Sequence, residues 1–355
     1  MRPSFDVLVA GGGPAGSAAA LGLIRRGLSV ALIEQDNYEG FRIGETLPPM
    51  IRRQLTELGV WQRFLECGPL ESYGIQTVWE SPAPRHQDFL HNPYGCGWHV
   101  DRARFDAMLA SAAAEAGAEV LLGARVTSWH QKADGKWQLD VALGGKTHNL
   151  SGRMLVDATG RKALLSSRLG SQARVADQLV GVVAFIDRSE TAQWTLIEAV
   201  EAGWWYSAPL PGARMVLAFM TDSDLWKDQP DWSDHLKLAE FTSQRSGRLE
   251  VPPRIHIVSA ASVVHLPVTG SDWIAIGDAA LAFDPLSGQG IFKSIETGIR
   301  SSSIIARHLE SDSTALAEYE SWVALGYQSY LSERTRFYSS VTRWPESRFW
   351  KRRED

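Results

Sequence analysis

The stretch from Phe5 to Glu34, FDVLVAGGGPAGSAAALGLIRRGLSVALIE, constrains this chain more than any other. FDVLVA is a short apolar run of strand type, and GGGPAGS follows it directly. AAALGLIRR is helix-forming, Gly27 is placed to stop it, and LSVALIE is a second strand ending on an acid. Strand, glycine-rich turn, helix, strand and acid in this order predict a βαβ unit. Gly11 permits the tight turn, Gly13 lets the backbone approach a pyrophosphate, and Gly16 lets the helix lie close to the strand. The helix start offers free N–H groups and a partial positive charge to phosphates. Glu34, about 20 residues on, can accept hydrogen bonds from an adenosine ribose. The reading is a dinucleotide cofactor, and this fingerprint does not separate NAD from FAD.

Downstream, FRIGETLPP (41–49) is a loop with a charged core of Arg42 and Glu45. Residues 51–68 read as two short helices around a glycine turn. DRARFDAMLASAAAEAG (101–117) is a helix with Asp101 as N-cap candidate, and Phe105, Met108, Leu109 and Ala112 repeat on one face. Paired strands joined at Asp134-Gly135 follow, and RMLVDATG (153–160) again runs from strand into small-residue turn. Residues 180–220 alternate, carry β-formers and read as an antiparallel sheet. WIAIGDAA (273–280) is a strand entering a Gly-Asp turn, and DPLSGQG (284–290) sets a bare backbone at the mouth of a long helix. The expected organisation is a nucleotide-binding unit from 1–70, 101–175 and 260–310, an antiparallel β substrate unit from 71–100 and 176–259, and a helical C-terminal segment, 311–355.

The net charge of −5 leaves no basic stripe for nucleic acid. Cys67 and Cys96 lack CxxC spacing and the nine histidines form no HxxxH pair, so neither a disulfide framework nor a metal is expected. No apolar run reaches the ~18 residues of a membrane span, and no signal peptide is expected ahead of the first strand. The expectation is a cytoplasmic protein without stable membrane insertion, its closing FWKRRED a frayed, solvated end. Tryptophan is abundant at 14 residues, with Trp194, Trp204, Trp205, Trp226 and Trp232 close in sequence. They either fill a core or line a pocket, and composition favours the core.

Three ordered segments, GGGPAG with Glu34, DATGR (157–161) and GDAALAFDPLSGQGI (277–291), resemble the p-hydroxybenzoate hydroxylase-type (glutathione reductase 2, GR2) flavoproteins. That superfamily includes aromatic hydroxylases, flavin halogenases and geranylgeranyl reductases. The resemblance implies an α/β fold: a Rossmann-like FAD-binding domain of GR2 type, an inserted antiparallel-sheet substrate domain and a helical C-terminus. It implies that Asp278 meets the FAD ribitol or pyrophosphate and that Pro285, Gly288, Gly290 and Ile291 lie against the flavin pyrimidine edge. It sets Arg42 near the flavin, Arg102 at the phosphates and the Val126 backbone at the adenine. With Gly11, Gly13, Pro14, Ala15, Gly16, Glu34, Asp157, Gly160 and Gly277, these form the expected cofactor-binding set.

The chain also departs from its superfamily. Ala158-Thr159-Gly160 stands where many NADPH-using hydroxylases have Ala-Asp-Gly, and no second GxGxxG appears. Electrons are expected from NAD(P)H directly or through a separate flavin reductase. RIGETLPP resembles the flavin halogenases, but GIQTVWE (74–80) lacks their lysine, and Trp204 to Pro209 only echoes their Trp-x-Trp-x-Ile-Pro. The compact length, GWWYSAPLP and the unbroken DPLSGQGI are similar to the flavoprotein maturases of quinocofactor enzymes, the LodB, GoxB and QhpG type, which oxygenate a Trp or Tyr of a precursor protein. The resemblance thus implies an FAD-dependent monooxygenase that activates O2 as a flavin C4a-(hydro)peroxide to hydroxylate an aromatic substrate, a small molecule or a precursor protein. The alternatives are a reductase or dehydrogenase of the geranylgeranyl-reductase type, a divergent halogenase, and a non-catalytic flavoprotein that chaperones a partner. Glu45, His99, His265, Lys293 and Glu296 are the candidate proton handlers, and none is singled out as the base. A small substrate requires a closed pocket lined by Trp204, Trp205 and Tyr206; a protein side chain requires an open cleft.

Overall fold

Strands that read as unbroken Val, Leu, Ile and Ala runs must be covered on both faces, which favours a parallel sheet inside the protein. The structure, a computed structural model describing residues 4–40, 42–187, 192–247, 249 and 254–353, has such a sheet. Its strands run Thr269–Gly270, Trp273–Ala275, Lys146–Asp157, Ser4–Ala10, Val30–Glu34, Glu119–Leu122, and a hairpin of Arg125–Gln131 and Trp137–Leu143 pairs beside Lys146–Asp157. The pairings from Trp273–Ala275 through to Glu119–Leu122 are parallel. Ala10, Asp157 and Ala275 lie in register, so the turns that follow them leave the sheet at one edge.

Helix α1 (Pro14–Ile24) starts on a proline, and its residues from Pro14 to Leu23 are all buried. Being apolar all round, it lies inside the protein rather than on its surface. Helix α2 (Arg102–Glu115) is capped by Asp101, whose side chain accepts from the Arg104 N–H, as the sequence predicts. Helix α3 (Gly290–Leu309) runs beside α1. A Cβ on Gly298 would lie 2.4 Å from the Ala15 carbonyl oxygen, so the two helices touch backbone to backbone. Helix α4 (Ala315–Ser339) follows. No helix among the described residues is long and apolar enough to cross a membrane.

A second sheet of seven strands runs Ile255–Ser259, Leu179–Asp187, Arg214–Asp222, Gly203–Leu210, Trp194–Val200, Gly74–Val78, Arg85–Asp88. It is not wholly antiparallel, because Gly74–Val78, arriving from a distant part of the chain, joins Trp194–Val200 in parallel. Its faces differ. Val183, Trp204, Ala208, Val216, Ala218 and Met220 share one cluster with Tyr338, Phe349 and Trp350 from the C-terminal segment. Val182, Trp205, Leu217 and Phe219 share another with Trp226 and Trp232 from short helices between the strands Arg214–Asp222 and Ile255–Ser259. Part of the FWKRRED stretch, expected as a frayed and solvated end, is buried: Phe349 is 0% and Trp350 2% exposed, and Arg353 donates to Asp222 at 2.6 Å. The two aromatic residues carry Arg353 inward, where Asp222 supplies its counter-charge, while Lys351 and Arg352 stay exposed.

Candidate active site

A cavity of about 590 Å³ lies at the carboxyl ends of the parallel strands, where open α/β sheets bind ligands. Gly11, Gly13, Pro14, Ala15, Glu34, Arg42, Arg102, Val126, Gly160, Asp278, Pro285, Gly288, Gly290 and Ile291 line it. Gly16, Asp157 and Gly277, also expected at the cofactor, are not among the lining residues and shape the wall instead. A Cβ on Gly16 would sit 1.9 Å from the Gly11 oxygen, so this glycine packs α1 onto its own strand. The Asp157 carboxylate is consumed by the turn after its strand, accepting from Thr159 N at 3.0 Å, Leu165 N at 3.0 Å and Ser166 N at 2.7 Å. The Gly277 N–H donates to Thr297 Oγ1 at 2.8 Å.

The cavity has a polar end at which several glycine backbones stand open. Gly11, at φ +109°, turns the chain under the Ala158 carbonyl, which a Cβ would meet at 2.1 Å. A Cβ on Gly13, Gly160, Gly288 or Gly290 would meet nothing within 4 Å. These backbones stand open, as an extended dinucleotide with its pyrophosphate requires. Glu34 is held from behind, its two oxygens accepting from Gly12 N at 2.6 Å and Asp36 N at 2.9 Å. Arg42, set near the flavin by the resemblance, is held at the acid that closes the fingerprint. Its guanidinium lies 2.9 Å from Asp106, 3.5 Å from Asp36 and 3.7 Å from Glu34, because three carboxylates outbid any other partner for its charge. Arg102 pairs with Asp106 at 3.0 Å and donates to the Ile43 carbonyl, tying α2 to the loop after Gly40. Arg161 joins three turns, donating to Ala261 O at 2.6 Å and Phe283 O at 3.1 Å and lying 3.5 Å from Asp278. The sequence reading assigns Arg161 no role, although its place directly after the DATG turn is the available signal.

The other end is apolar, walled by Ile43, Val183, Val216, Ala218, Met220, Val258 and Phe283, with Glu45, Thr46, Tyr206 and Ser259 among its polar groups. Glu45 is 4% exposed and its Oε1 has no partner. Burial pushes its carboxyl up to about 7, against the pull of Arg102. Thr46 Oγ1 lies 2.6 Å from Tyr206 Oη and 3.1 Å from His99 Nδ1. Burial, reinforced by Arg245, holds His99 neutral by lowering its pKa to about 3. The Nε2 of His99 has no partner. A bare buried N–H costs more than a bare lone pair, and the Arg245 charge also favours a lone pair there. The hydrogen bonds then run from His99 Nδ1–H to Thr46 and from Thr46 to Tyr206, which leaves the Tyr206 O–H to donate into the cavity.

Other candidates fall away from the cavity lining. Trp204 and Trp205 are each 0% exposed, on opposite faces of their strand, and neither lines the pocket. Successive residues of a strand point to opposite faces, so Tyr206 reaches the cavity while Trp205 joins the core beneath. Lys293 and Glu296 pair with each other at 2.7 Å outside the cavity, and Lys293 also lies over the Trp322 ring. His265 sits on the strand Val263–Leu266, outside the lining, and burial lowers its pKa. His99 lies behind Thr46 rather than in the cavity. Of the proposed proton handlers, only Glu45 lines it.

A dinucleotide cleft at the ends of parallel strands, opening into an apolar chamber, defines a cofactor-dependent oxidoreductase. Residues 4–326 match the family described as the FAD binding domain, and the chain belongs to it: it is an FAD-dependent oxidoreductase. It is 33% identical to the FAD-dependent oxidoreductase LodB of Marinomonas mediterranea, over 99% of this chain and 97% of that one. The structure of the myxobacterial chondrochloren halogenase CndH superposes with a TM-score of 0.91 at 21% identity, covering 100% of this chain and 86% of that one. The peptidyl tryptophan dihydroxylase QhpG, described as essential for tryptophylquinone cofactor biogenesis, superposes with a TM-score of 0.81 at 22% identity, covering 99% and 78%. Both superpositions establish a shared fold.

Proposed function

We propose that this protein is a flavin-dependent monooxygenase that hydroxylates an aromatic ring, and that the ring is a Trp or Tyr side chain of a precursor protein acquiring a quinone cofactor. The observation that carries this reading is one cavity whose bare-backbone end passes into an apolar end holding a buried carboxyl group, Glu45. The near full-length similarity to LodB and the fold shared with the peptidyl tryptophan dihydroxylase support it.

Gly11, Gly13 and the start of α1 would hold the FAD pyrophosphate, Glu34 the ribose, Val126 the adenine, and the stretch Pro285 to Ile291 the flavin ring. Bound FAD supplies the redox and O2 chemistry. The chain supplies the rest. The aliphatic wall of the second sheet, the substrate unit in this reading, excludes water and holds the ring flat. Tyr206 donates to the ring oxygen of a Tyr, or of a Trp ring once hydroxylated. Glu45, poised near neutrality, accepts the proton that leaves the ring. One oxygen atom of O2 enters the ring; the other leaves as water after taking two electrons and two protons. The electrons come from NAD(P)H, directly or through a flavin reductase.

The test uses FAD-loaded protein reduced without air, then given isotopically heavy O2 with a Trp- or Tyr-bearing precursor protein, or with free aromatic compounds. Heavy oxygen on a ring, located by peptide mass spectrometry, is the expected result. Heavy hydrogen peroxide with no label in any ring overturns the reading. The fold shared with CndH makes halogenation the second reading, and bromide in the same mixture tests it. The lysine among the lining residues, Lys162, follows the Gly160 turn rather than the apolar wall.

A further inference from the structure

The turn that opens α3 is gripped by α4. Tyr330, Arg334 and Tyr338 are spaced four apart and so share one face of that helix. Tyr330 Oη accepts from Asp284 N at 2.7 Å, and its ring stacks on Phe283 at 4.0 Å. Tyr338 Oη donates to Asp284 Oδ2 at 2.8 Å and accepts from Trp204 Nε1 at 2.9 Å. Arg334 lies 3.4 Å from Asp284 and 2.9 Å from Asp177. The other Asp284 oxygen accepts from Leu286 N at 2.9 Å, within the turn itself. The Asp284 side chain is 1% and that of Arg334 10% exposed. Two carboxylates and one guanidinium are therefore sealed between the C-terminal helix and the cavity wall. Burying such groups is costly, and replacing them by apolar side chains is often neutral or stabilising, so stability is a poor reason for their presence.

We propose that Asp284, Arg334 and Tyr338 are positioning residues for FAD: α4 fixes the 284–290 turn through Asp284, and the Arg334 charge tunes how strongly the site favours the reduced flavin. This rests on the placement of the flavin ring against Pro285 to Ile291. Reduction adds negative charge to the ring, and nearby charge biases the oxidised and reduced forms differently. Arg334→Met leaves the Asp177 and Asp284 carboxylates unopposed and disfavours the reduced form. Asp284→Asn removes a negative charge at nearly constant shape and favours it. The two variants must shift the midpoint potential in opposite directions. A loosened turn with no electrostatic role would shift both the same way.

The measurement is the midpoint potential of the FAD-loaded protein by dye equilibration, with the affinity for oxidised FAD measured by fluorescence. Arg334→Met is expected to lower the potential, Asp284→Asn to raise it, and Arg334→Lys to stay near wild type. Tyr338→Phe should weaken FAD binding about tenfold, as for one lost hydrogen bond to a charged group. Tyr319→Phe removes a buried bond from the same helix to Ala275 O at 3.0 Å. It should lower thermal stability without moving the potential. Shifts of one sign in Arg334→Met and Asp284→Asn, or shifts no larger than that of Tyr319→Phe, overturn the proposal. Should Arg334→Met fail to fold, Asp284→Asn and Arg334→Lys decide between the same outcomes. Gly290→Ala separates the two levels of inference. Unchanged FAD binding in that variant sinks the ring placement, whereas lost binding with unmoved potentials in the charge variants sinks only the role of α4.

Discussion

Replacing Glu45 by Gln tests whether the apolar end holds a carboxyl group under strain. Burial lifts this group from its ordinary 4.5 to about 7, and Arg102 offsets only part of that. In the unfolded chain the carboxyl loses its proton near 4.5, while in the folded chain it keeps it to about 7. Its contribution to stability is therefore fully present below the lower value, is lost as pH rises through the upper one, and is level beyond. At about 1.4 kcal/mol per pH unit, that interval makes the ionised form about 3 kcal/mol costlier in the folded protein. Because Glu45 is only 4% exposed, solvent screens little of it. The isosteric Gln carries no charge, so the variant should show no loss across this window. Urea unfolding of both proteins in the same excess of FAD, from about pH 4.5 to 8.5, reads the difference. The variant should match wild type at the acid end and exceed it by up to about 3 kcal/mol at the alkaline end. A stability difference that does not change with pH refutes the reasoning. In turnover, wild type should gain rate as pH rises through about 7, and the variant should lose that limb together with about 10²- to 10⁴-fold of the rate if Glu45 is the base.

The fingerprint glycines should separate stability from binding. Gly11→Ala, strained at φ +109° and colliding with Ala158 O, should fold poorly, whereas Gly13→Ala, at φ −69° and facing open space, should keep its melting temperature and lose FAD affinity by equilibrium dialysis. Trp205→Ala should cost about 3–5 kcal/mol in denaturant unfolding, as a large core side chain does. Tyr206→Phe should leave stability within about 1 kcal/mol and raise KM for oxygen-bearing aromatic substrates more than for those without an oxygen. Lys293→Met breaks a partly exposed pair outside the cavity, so kcat and its pH profile should stay at wild-type values.

Local constraints were legible in the sequence because they bind neighbouring residues. The turn at Gly11, the Asp101 cap and the start of α3 each follow from conformational rules that act over a few positions. Most of the expected cofactor residues also met, because the fingerprint, the 157–161 turn and the 277–291 stretch end adjacent parallel strands. What stayed open was the side of an element on which a side chain falls. Trp205 and Tyr206 are adjacent in sequence, yet one fills the core and the other reaches the cavity, and only the sheet's register decides which. Lys293 could have faced inward or outward from α3, and the packing of α3 on α1 turned it outward. The spacing of Tyr330, Arg334 and Tyr338 was visible all along, but nothing local ties it to Asp284, some fifty residues earlier. The sequence by itself determined the turns that leave the ends of these strands, since glycine geometry and an acid at fixed spacing suffice for that. The tertiary structure decided which carboxyl group lines the apolar end of the cavity and which helix holds the turn at α3, because burial and charge pairing arise only when distant segments displace water from one another.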